Sequence, residues 1–368
     1  DFARPVEQGA SFKEWFDSLP SLLGAGDIRR VVEAMAEAKR RDGGIIWGLG
    51  AHVIKTGVSP VIIDLMERGY VSALALNGAG MIHDFEIALA GQTSEDVDAA
   101  LGPGRFGVAE ETGAFLNEAI YKASRTGLGL GQAVSADLAA RRPEYAGQSL
   151  LVSAHELGVP VTVHVAIGTD IIHMHEAASG AAIGDASLRD FRYFTSSVAR
   201  LSHGVYLNCG SAVVLPEVFL KAVALARNQD ISLEGLTTVN IDFLRMYRPQ
   251  TNVVTRPVAG TGGRGISLVG HHEILIPLIA AAAYLLLFRP EHERRRRQQD
   301  LLGGLKKNDR VVTTAGIYGT VANVERDADR VVLKIDDAAN VKITVTLSSI
   351  ARVLGDEKQE TRTGKDEP

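Results

Sequence analysis

Helical and extended patterns of apolar residues alternate along roughly the first 270 residues of the chain. Residues 27–41 carry apolar side chains three or four positions apart, from Ile28 to Met35, and this spacing predicts a helix. Two glycines at positions 43 and 44 end this helix before an apolar run that begins at Ile45, which predicts a buried strand. The same order of strand and helix recurs downstream.

This repeated pattern predicts an α/β domain. The further predicted strands span residues 71–76, 159–164, 204–207 and 236–241, and the further predicted helices span residues 59–66, 187–201 and 216–227. Strands that alternate with helices form parallel sheets covered by helices on both faces. The expected fold class is therefore α/β, with a doubly wound parallel sheet.

The pattern changes after residue 273. Residues 274–288 form an uncharged run of 15 residues, and four consecutive arginines follow at 294–297. Apolar residues then alternate in short stretches, which predicts a small barrel or curled sheet with strands over 310–314, 320–324, 330–335 and 341–346. Residues 356–368 carry no apolar side chain, and we expect them to be disordered.

Composition supports a globular protein and narrows its partners. Hydrophobic residues make up 46% of the 368 residues, which is enough for a sizeable core, and 38 glycines are typical of the many tight turns of α/β domains. The net charge of −5 gives no indication of nucleic-acid binding, and we expect none. The single cysteine, Cys209, excludes an intrachain disulfide and fits a reducing compartment.

Glycine and polar residues cluster directly after four of the predicted strands. In a doubly wound sheet, ligands bind beyond the carboxyl ends of the strands, where glycines let the backbone approach a phosphate. The spaced GxGxxG fingerprint is absent, so the alternative is that these glycines only serve tight turns between strand and helix. The residues expected to bind a cofactor at this edge are Ala51, His52, Asn77, Gly78, Asp170, Gly210 and Ser211.

Histidines near the third of these strands allow two interpretations. His164, His173 and His175, together with Glu176, have the residue types of a metal site. The alternative, which we prefer, is that one histidine forms a hydrogen bond in the core and the others line a ligand pocket, with no metal bound. Asp170 is the stronger functional candidate, because an aspartate after a buried strand is costly unless it binds a polar group. The acidic residues Asp84, Glu110, Glu111 and Asp242 are weaker candidates, since they also fit helix starts and solvated faces.

Several motifs over about residues 15–280 together resemble the deoxyhypusine synthase family, in particular its divergent bacterial branch. The motifs are GAHVIKTG at 50–57, LNGAGMIHDF at 76–85, GTD at 168–170, LNCGSAVVLPE at 207–217 and TRP at 255–257. The resemblance implies a Rossmann-type fold, homotetramers, and NAD-dependent oxidation of spermidine with transfer of an aminobutyl group through an imine on a lysine. It also implies that Asp170 contacts NAD.

The chain departs from this family at the positions that carry the chemistry. The family's lysine lies shortly after the segment that matches residues 255–257, and here no lysine occurs between Lys221 and Lys306. His83 and His175 stand where the family has acidic substrate contacts, and Arg264 lies near the position of the lysine but is a poor nucleophile because it stays protonated. The resemblance thus implies NAD-dependent chemistry on a polyamine or other amine, with His83, His175 and Arg264 as catalytic candidates.

A second resemblance covers about residues 274–354. The motifs IPLIAA at 276–281, YLLLFRP at 284–290 and LKKNDRVVTTAGIYGTV at 305–321 are similar to YajC, an accessory subunit of the bacterial Sec preprotein translocase. This resemblance implies one membrane helix, a cytoplasmic β domain and partners among the translocon components. The alternative function is therefore that of a membrane-anchored subunit in protein transport.

The apolar run at 274–288 is claimed by both resemblances. Its 15 residues would rise about 22 Å as a helix, short of the roughly 30 Å hydrocarbon core, although the arginines at 294–297 favour a cytoplasmic carboxyl side. It is either a membrane span or a core helix of the α/β domain. We expect a cytoplasmic α/β domain over 1–273, attached to the inner membrane in the first case through residues 274–288.

The expected order along the chain ends with four smaller segments. They are the apolar helix at 274–290, a basic linker at 291–304, a small β domain at 305–355 and the tail at 356–368. The first residue is Asp1, so we expect the natural chain to begin further upstream.

Overall fold

The computed structural model describes residues 2–93, 97–285, 305–325, 328–336 and 341–354. It divides into two compact units, Asp1–Leu286 and Leu287–Pro368. In chain order, the helices and strands of the first unit are α1 Phe12–Ser18, α2 Leu23–Arg40, β1 Ile45–Leu49, α3 Ala51–Lys55, α4 Ser59–Glu67, β2 Ala73–Asn77, α5 Gly78–Ala90, α6 Val97–Leu101, α7 Glu110–Thr126, α8 Leu130–Arg141, α9 Leu150–Leu157, β3 Val161–His164, α10 Gly180–Val198, β4 Val205–Cys209, α11 Val214–Asn228, β5 Thr237–Asp242, α12 Tyr247–Pro249, β6 Arg264–Val269 and α13 His272–Ala283.

The first unit is built on a six-stranded parallel sheet in the order β3-β2-β1-β4-β5-β6. The chain moves outward from β1 through β2 to β3, returns to β4 beside β1, and continues outward to β6. This order is that of a doubly wound Rossmann-type sheet, whose reversal point lies between β1 and β4. The predicted fold class is confirmed.

The central strands are apolar because helices cover the sheet. All five residues of β1 and all five of β4 are buried, as expected for parallel strands that never face water. Side chains of α10 and α11 form one core with residues of the sheet, in which the rings of Tyr206 and Phe219 stack with centroids 3.7 Å apart. Burial of these two aromatic side chains contributes several kcal/mol to the stability of this unit.

The described part of the apolar run packs in the α/β unit. Helix α13 contacts α2, α4 and β5, and it buries Ile276, Ile279 and Ala282 while Ile274 is 61% exposed. Among the described residues, no helix has the length and apolar character that crossing a bilayer requires. The predicted transmembrane helix is therefore not supported over residues 274–285, and the rest of that prediction, 286–290, lies outside the described residues.

The second unit contains an antiparallel sheet of five strands among its described residues. A small core of Val311, Val321 and Leu333 lies on one side of this sheet. The prediction of a small β domain is confirmed, whereas the predicted linker at 291–304 and tail at 356–368 lie outside the described residues. Its strands are β7 Arg310–Thr313, β8 Tyr318–Glu325, β9 Arg330–Asp336, β10 Val341–Thr346 and β11 Ile350–Leu354. They lie in the order β10-β9-β8-β7-β11.

The sequence pattern did not predict two of these strands, β6 and β11. Partly exposed positions interrupt the apolar pattern of both strands: β6 begins with Arg264 and Gly265, and β11 contains the exposed residues Ala351 and Arg352. β6 also follows three glycines between 260 and 263, which read as a loop.

Candidate functional site

The carboxyl end of β2 leads directly into α5 through Asn77 and Gly78. Asn77 is the N-cap of α5, and its side-chain oxygen accepts a hydrogen bond from the Gly80 amide at 2.9 Å. Gly78 has no side chain because the carboxylate of Asp170 occupies that space: a Cβ added to Gly78 would lie 2.1 Å from Asp170 Oδ2. Residues from the ends of β2 and β3 therefore meet at the N-terminus of α5.

Asp170 is held in this position with one oxygen unused. Its side chain is 8% exposed, and Oδ2 has no hydrogen-bond partner among the described residues. Burial raises the pKa of Asp170 to about 6, although hydrogen bonds with the backbone of Ala166 and Ala79 oppose this rise. A buried carboxyl oxygen without a partner is costly, so this atom marks a place where a ligand donor would be stabilised.

A cavity of about 210 Å³ opens beside Asp170. His83 and Glu86, one turn apart on α5, face this cavity, and His83 Nδ1 lies 2.9 Å from Glu86 Oε2. Glu86 is only 4% exposed, and it fixes the orientation of the imidazole ring. The full lining consists of Lys55, Ala79, Ile82, His83, Glu86, Thr93, Val97, Phe106, Thr169, Asp170 and Ile171.

The cavity thus combines a cation, two carboxylates and an oriented histidine with apolar walls. Lys55 ends α3, and among the described residues no carboxylate lies within ion-pair distance of its ammonium group. Because the Nδ1 atom of His83 is engaged by Glu86, Nε2 is the ring atom available to a ligand. This arrangement can hold an anionic group and accept a proton.

The glycines after β1 and β4 have structural reasons of their own. Gly50 donates a backbone hydrogen bond to Cys209 at 2.8 Å, and a Cβ added to it would lie 2.1 Å from the Gly210 carbonyl oxygen. Gly210 has φ +69°, which glycine adopts without strain. Ser211 accepts a hydrogen bond from the Leu215 amide at 3.2 Å. Tight turns between strand and helix therefore account for Gly50 and Gly210.

A cluster of rings stands on the same edge, where β1 and β5 end. The ring of His52 lies 5.7 Å from Phe243 and 5.5 Å from His272, and Phe243 stacks on His271 at 6.3 Å. His272 is fully buried, and its Nε2 lies 3.1 Å from the Ile241 carbonyl oxygen, so this nitrogen carries the proton. Burial lowers the pKa of His272, which favours the neutral ring. The exposed rings offer a surface on which a planar ligand can stack.

Two of the three catalytic candidates lie away from the cavity. Arg264 is the first residue of β6, at the amino end of a parallel strand, whereas the cavity lies at the carboxyl ends. A strand of six residues spans roughly 20 Å, so Arg264 does not reach the site. His175 pairs with Glu110 through an Nε2–Oε2 distance of 3.2 Å and packs against Gly113. The structure thus places His83 alone of these three in the cavity.

The histidines after β3 do not converge. His164 is buried, its Nε2 lies 3.1 Å from the Thr162 hydroxyl, and burial lowers its pKa to about 3. His173 accepts a hydrogen bond from the Gly168 amide at Nδ1. Within the described ranges, no group of three or more histidine, cysteine, aspartate or glutamate side chains is arranged to hold a metal ion. The core and loop contacts above are the roles these histidines have here.

The weaker acidic candidates have structural contacts. Asp84 is fully buried and accepts hydrogen bonds from the Ser149 hydroxyl and from the amides of Leu150 and Leu151, at the N-terminus of α9. Asp242 accepts a hydrogen bond from the Phe243 amide at 2.8 Å. Glu111, like Glu110, lies in the first turn of α7. Helix starts and turns explain these residues.

Sequence reasoning missed Lys55, Glu86 and Phe243 as members of the site. Glu86 lies three positions after His83 on one helix, and this spacing alone could have predicted that the two side chains interact. The sequence pattern around Lys55 does not indicate a site residue, because its position at the cavity depends on how α3 packs beside α5. Phe243 had no local signal.

Two family models match separate parts of the chain. A model described as a preprotein translocase subunit, YajC, matches residues 274–354. A model described as the C-terminal Rossmann fold of arginine dihydrolase ArgZ-like proteins matches residues 29–110. The chain therefore joins a Rossmann-type part to a YajC-like part, and residues 274–283 of the YajC match belong to α13 of the α/β unit. Among curated proteins, no sequence matches this chain.

Several solved structures are similar to the chain at low identity. A LOR/SDH protein from Methanococcus maripaludis is 18% identical, with TM-score 0.45 and coverage of 72% of this chain and 71% of that chain. ArgZ, an arginine dihydrolase from Cyanobacteria, is 16% identical, with TM-score 0.44 and coverage of 73% and 33%. A protein described as a deoxyhypusine synthase from Entamoeba histolytica is 12% identical, with TM-score 0.46 and coverage of 77% and 96%. The chain thus spans about a third of ArgZ, and similarities this low carry no argument about function.

Proposed function

We propose that the α/β unit is an enzyme that binds nicotinamide adenine dinucleotide (NAD) along the carboxyl edge of its sheet and oxidises a small amine in the adjoining cavity. The observation that carries this proposal is Asp170 Oδ2, a buried oxygen that has no hydrogen-bond partner among the described residues and lies against Gly78. A ribose hydroxyl of NAD would donate the missing hydrogen bond to this oxygen. Acidic residues accept such a hydrogen bond from the ribose in other dinucleotide sites.

The other residues expected from sequence fit a cofactor at this edge. The loops after β1, β2 and β4 carry Ala51, Asn77 and Ser211 to the same edge of the sheet, where two mononucleotide-sized halves meet in Rossmann-type folds. His52 and Phe243 offer ring surfaces for a base. When bound, the nicotinamide ring supplies a hydride acceptor, and the protein orients the amine and removes its proton.

A glycine variant tests the cofactor site. Gly78→Ala places a methyl group where Asp170 lies, so it displaces the carboxylate and should weaken NAD binding at least tenfold, or about 1.4 kcal/mol. Asp170→Asn, which keeps the shape and removes the charged oxygen pair, should weaken binding in the same direction. Isothermal titration of the full chain measures both effects.

Gly184→Ala is the matched control, because an added Cβ meets no atom within 4 Å there and α10 tolerates alanine. Circular dichroism shows whether each variant is folded. The proposal is wrong if the folded wild-type chain has no affinity for NAD, or if both site variants bind NAD as tightly as the Gly184→Ala control.

The sequence match to a preprotein translocase subunit supports a second candidate function. We propose that the second unit binds translocon components and acts as an accessory subunit in protein transport. Its small β sheet is the part that such a partner would contact. Cross-linking of the tagged chain in native membranes should recover translocase proteins, and a version truncated before residue 305 should lose them. Equal recovery with and without the second unit would contradict this role.

The α/β unit also carries an apolar surface beside the proposed cofactor site. Leu244, Met246 and Tyr247 follow β5 and are all more than two fifths exposed. Large apolar side chains that are exposed next to one another often mark a surface that binds another protein chain. We propose that this surface mediates a homo-oligomer, with the tetramer of the resembling family as the expected form.

A further inference from the structure

A second cleft, of about 420 Å³, lies beside the amino end of β3 and is lined by residues of α8, α9 and α10. The proposed cofactor site lies at the carboxyl ends of the strands, so this cleft is a separate place on the α/β unit. We infer that the cleft binds a neutral molecule that carries neighbouring hydroxyl groups on an apolar body. A sugar has this chemistry, and so does the ribose of a nucleoside. The inference goes beyond the proposed function and does not depend on it.

The buried end of the cleft carries a hydroxyl group without a partner. Ser135 of α8 lines the cleft and is 3% exposed, and its Oγ has no hydrogen-bond partner among the described residues. The neighbouring buried hydroxyl in the lining, that of Thr162, is already engaged by the Leu74 carbonyl oxygen at 3.4 Å and by His164 Nε2 at 3.1 Å. A buried hydroxyl without a partner is costly, and rotation about one bond brings it to a ligand. Ser135 is therefore where a polar group of the ligand would be stabilised.

The open end of the cleft carries groups that both donate and accept hydrogen bonds. Gln132 and His155 are exposed, and neither side chain makes a hydrogen bond within the described part of the chain. Tyr193 of α10 is 45% exposed, and Ser197 follows it one turn later. An amide, an imidazole ring and hydroxyl groups can each be donor or acceptor, as can the hydroxyl groups of a ligand. These side chains therefore match a molecule with several hydroxyl groups.

The lining contains no carboxylate, ammonium or guanidinium group, and all of it lies within the described residues. A phosphate or a carboxylate would thus lose its hydration here without meeting an opposite charge. A wholly apolar ligand would leave the Ser135 hydroxyl unpaired. The volume falls within the range of pockets that bind small molecules. The remaining lining, which suits the apolar body of the ligand, consists of Ala154, Gly158, Val159, Pro160 and Val161.

Two neutral probes and their matched analogues test this class of ligand. Methyl glucoside represents a sugar and uridine a nucleoside, and uridine is chosen because NAD contains no pyrimidine nucleoside. The analogues without hydroxyl groups are methoxytetrahydropyran and dideoxyuridine, and the charged analogues are the phosphate esters of the two probes. Calorimetric titration and saturation-transfer NMR of the full chain should show a neutral probe binding at least about tenfold tighter than both of its analogues.

Ser135→Ala tests whether the probe binds in this cleft. The variant should weaken the probe about fivefold or more, yet unfold in urea no more easily than wild type, because alanine favours the helix and removes an unpaired hydroxyl. Gln132→Leu should weaken the same probe at the open end. Ser196→Ala is the matched control, since Ser196 is an exposed serine of α10 outside the lining whose hydroxyl donates to the Arg192 carbonyl oxygen at 3.2 Å.

The inference is overturned if neither neutral probe binds at concentrations up to about 10 mM, or if an analogue binds as tightly as its probe. Unchanged affinity in both Ser135→Ala and Gln132→Leu would overturn it as well. Loss of affinity in Gly78→Ala alone would place the probe at the cofactor edge, with the same consequence. A chain that binds a probe in the cleft but does not bind NAD would refute the proposed function and leave this inference standing.

Discussion

Asp190 provides the sharpest test of the electrostatics of the fold. This residue of α10 is fully buried, and its Oδ2 accepts hydrogen bonds from the amides of Val163 at 2.6 Å and Gly131 at 2.8 Å. It therefore ties α8 and β3 together. Burial raises the pKa of Asp190 to about 7, and the backbone hydrogen bonds oppose that rise without cancelling it.

The sign of the pH effect follows from this shift. The unfolded chain releases the proton near the ordinary value of about 3.8, whereas the folded chain keeps it up to about 7. The folded state is therefore the better proton binder between these values, so the stability supplied by this group is complete at low pH and falls as pH rises. A shift of about three pKa units corresponds to roughly 4 kcal/mol, of which about 3 kcal/mol is lost between pH 5 and pH 8.

Asp190→Asn removes the titration and keeps an oxygen for both amide hydrogen bonds. We expect the variant to gain about 3 kcal/mol in free energy of unfolding relative to wild type between pH 5 and pH 8. Urea unfolding followed by helical circular dichroism reports on the α/β unit, which contains the described α-helices. Asp185→Asn, on the exposed face of the same helix, is the control and should show no such trend.

The opposite electrostatic balance gives an opposite result. If the amides and the N-terminus of α8 stabilised the charged carboxylate more than burial destabilises it, the pKa would fall below 3.8 and wild type would lose stability only on acidification. Stability curves of wild type and Asp190→Asn that run parallel from pH 5 to pH 8 would refute the assignment to burial.

Three further outcomes follow from the structure. Asp84→Ala should lower the free energy of unfolding by roughly 3 kcal/mol or more in urea titrations, because two amides and the Ser149 hydroxyl lose their buried acceptor; an effect below 1 kcal/mol would contradict this contact. Phe219→Ala should cost about 3–5 kcal/mol in the same assay, since it removes the ring stacked on Tyr206, and a near-neutral effect would mean that this core is loosely packed. Leu244→Asp should leave the fold intact but lower the mass measured by light scattering, whereas an unchanged mass would exclude this surface from the oligomer.

Local pattern predicted most of the fold. The five strands predicted for the parallel sheet lie within two residues of β1 to β5 at each end, because strands buried on both faces appear as apolar runs. The strands β6 and β11 escaped prediction because charged residues and exposed positions interrupt their apolar runs. The apolar run at 274–288 fitted both a membrane span and a core helix, and packing of α13 against α2 and α4 favours the core helix over the described part.

The site, like the fold, was predicted only in part from the sequence. The sequence by itself determined that polar and glycine residues follow the strands, and parallel topology then required them to share one edge. Only the tertiary structure decided which of them meet: Asp170 lies on Gly78, and Lys55 and His83 line one cavity, whereas Arg264 is at the amino end of its strand and His175 pairs with Glu110. The physical reason is that a side chain's partner depends on how helices pack across the sheet, which periodicity along the chain does not encode.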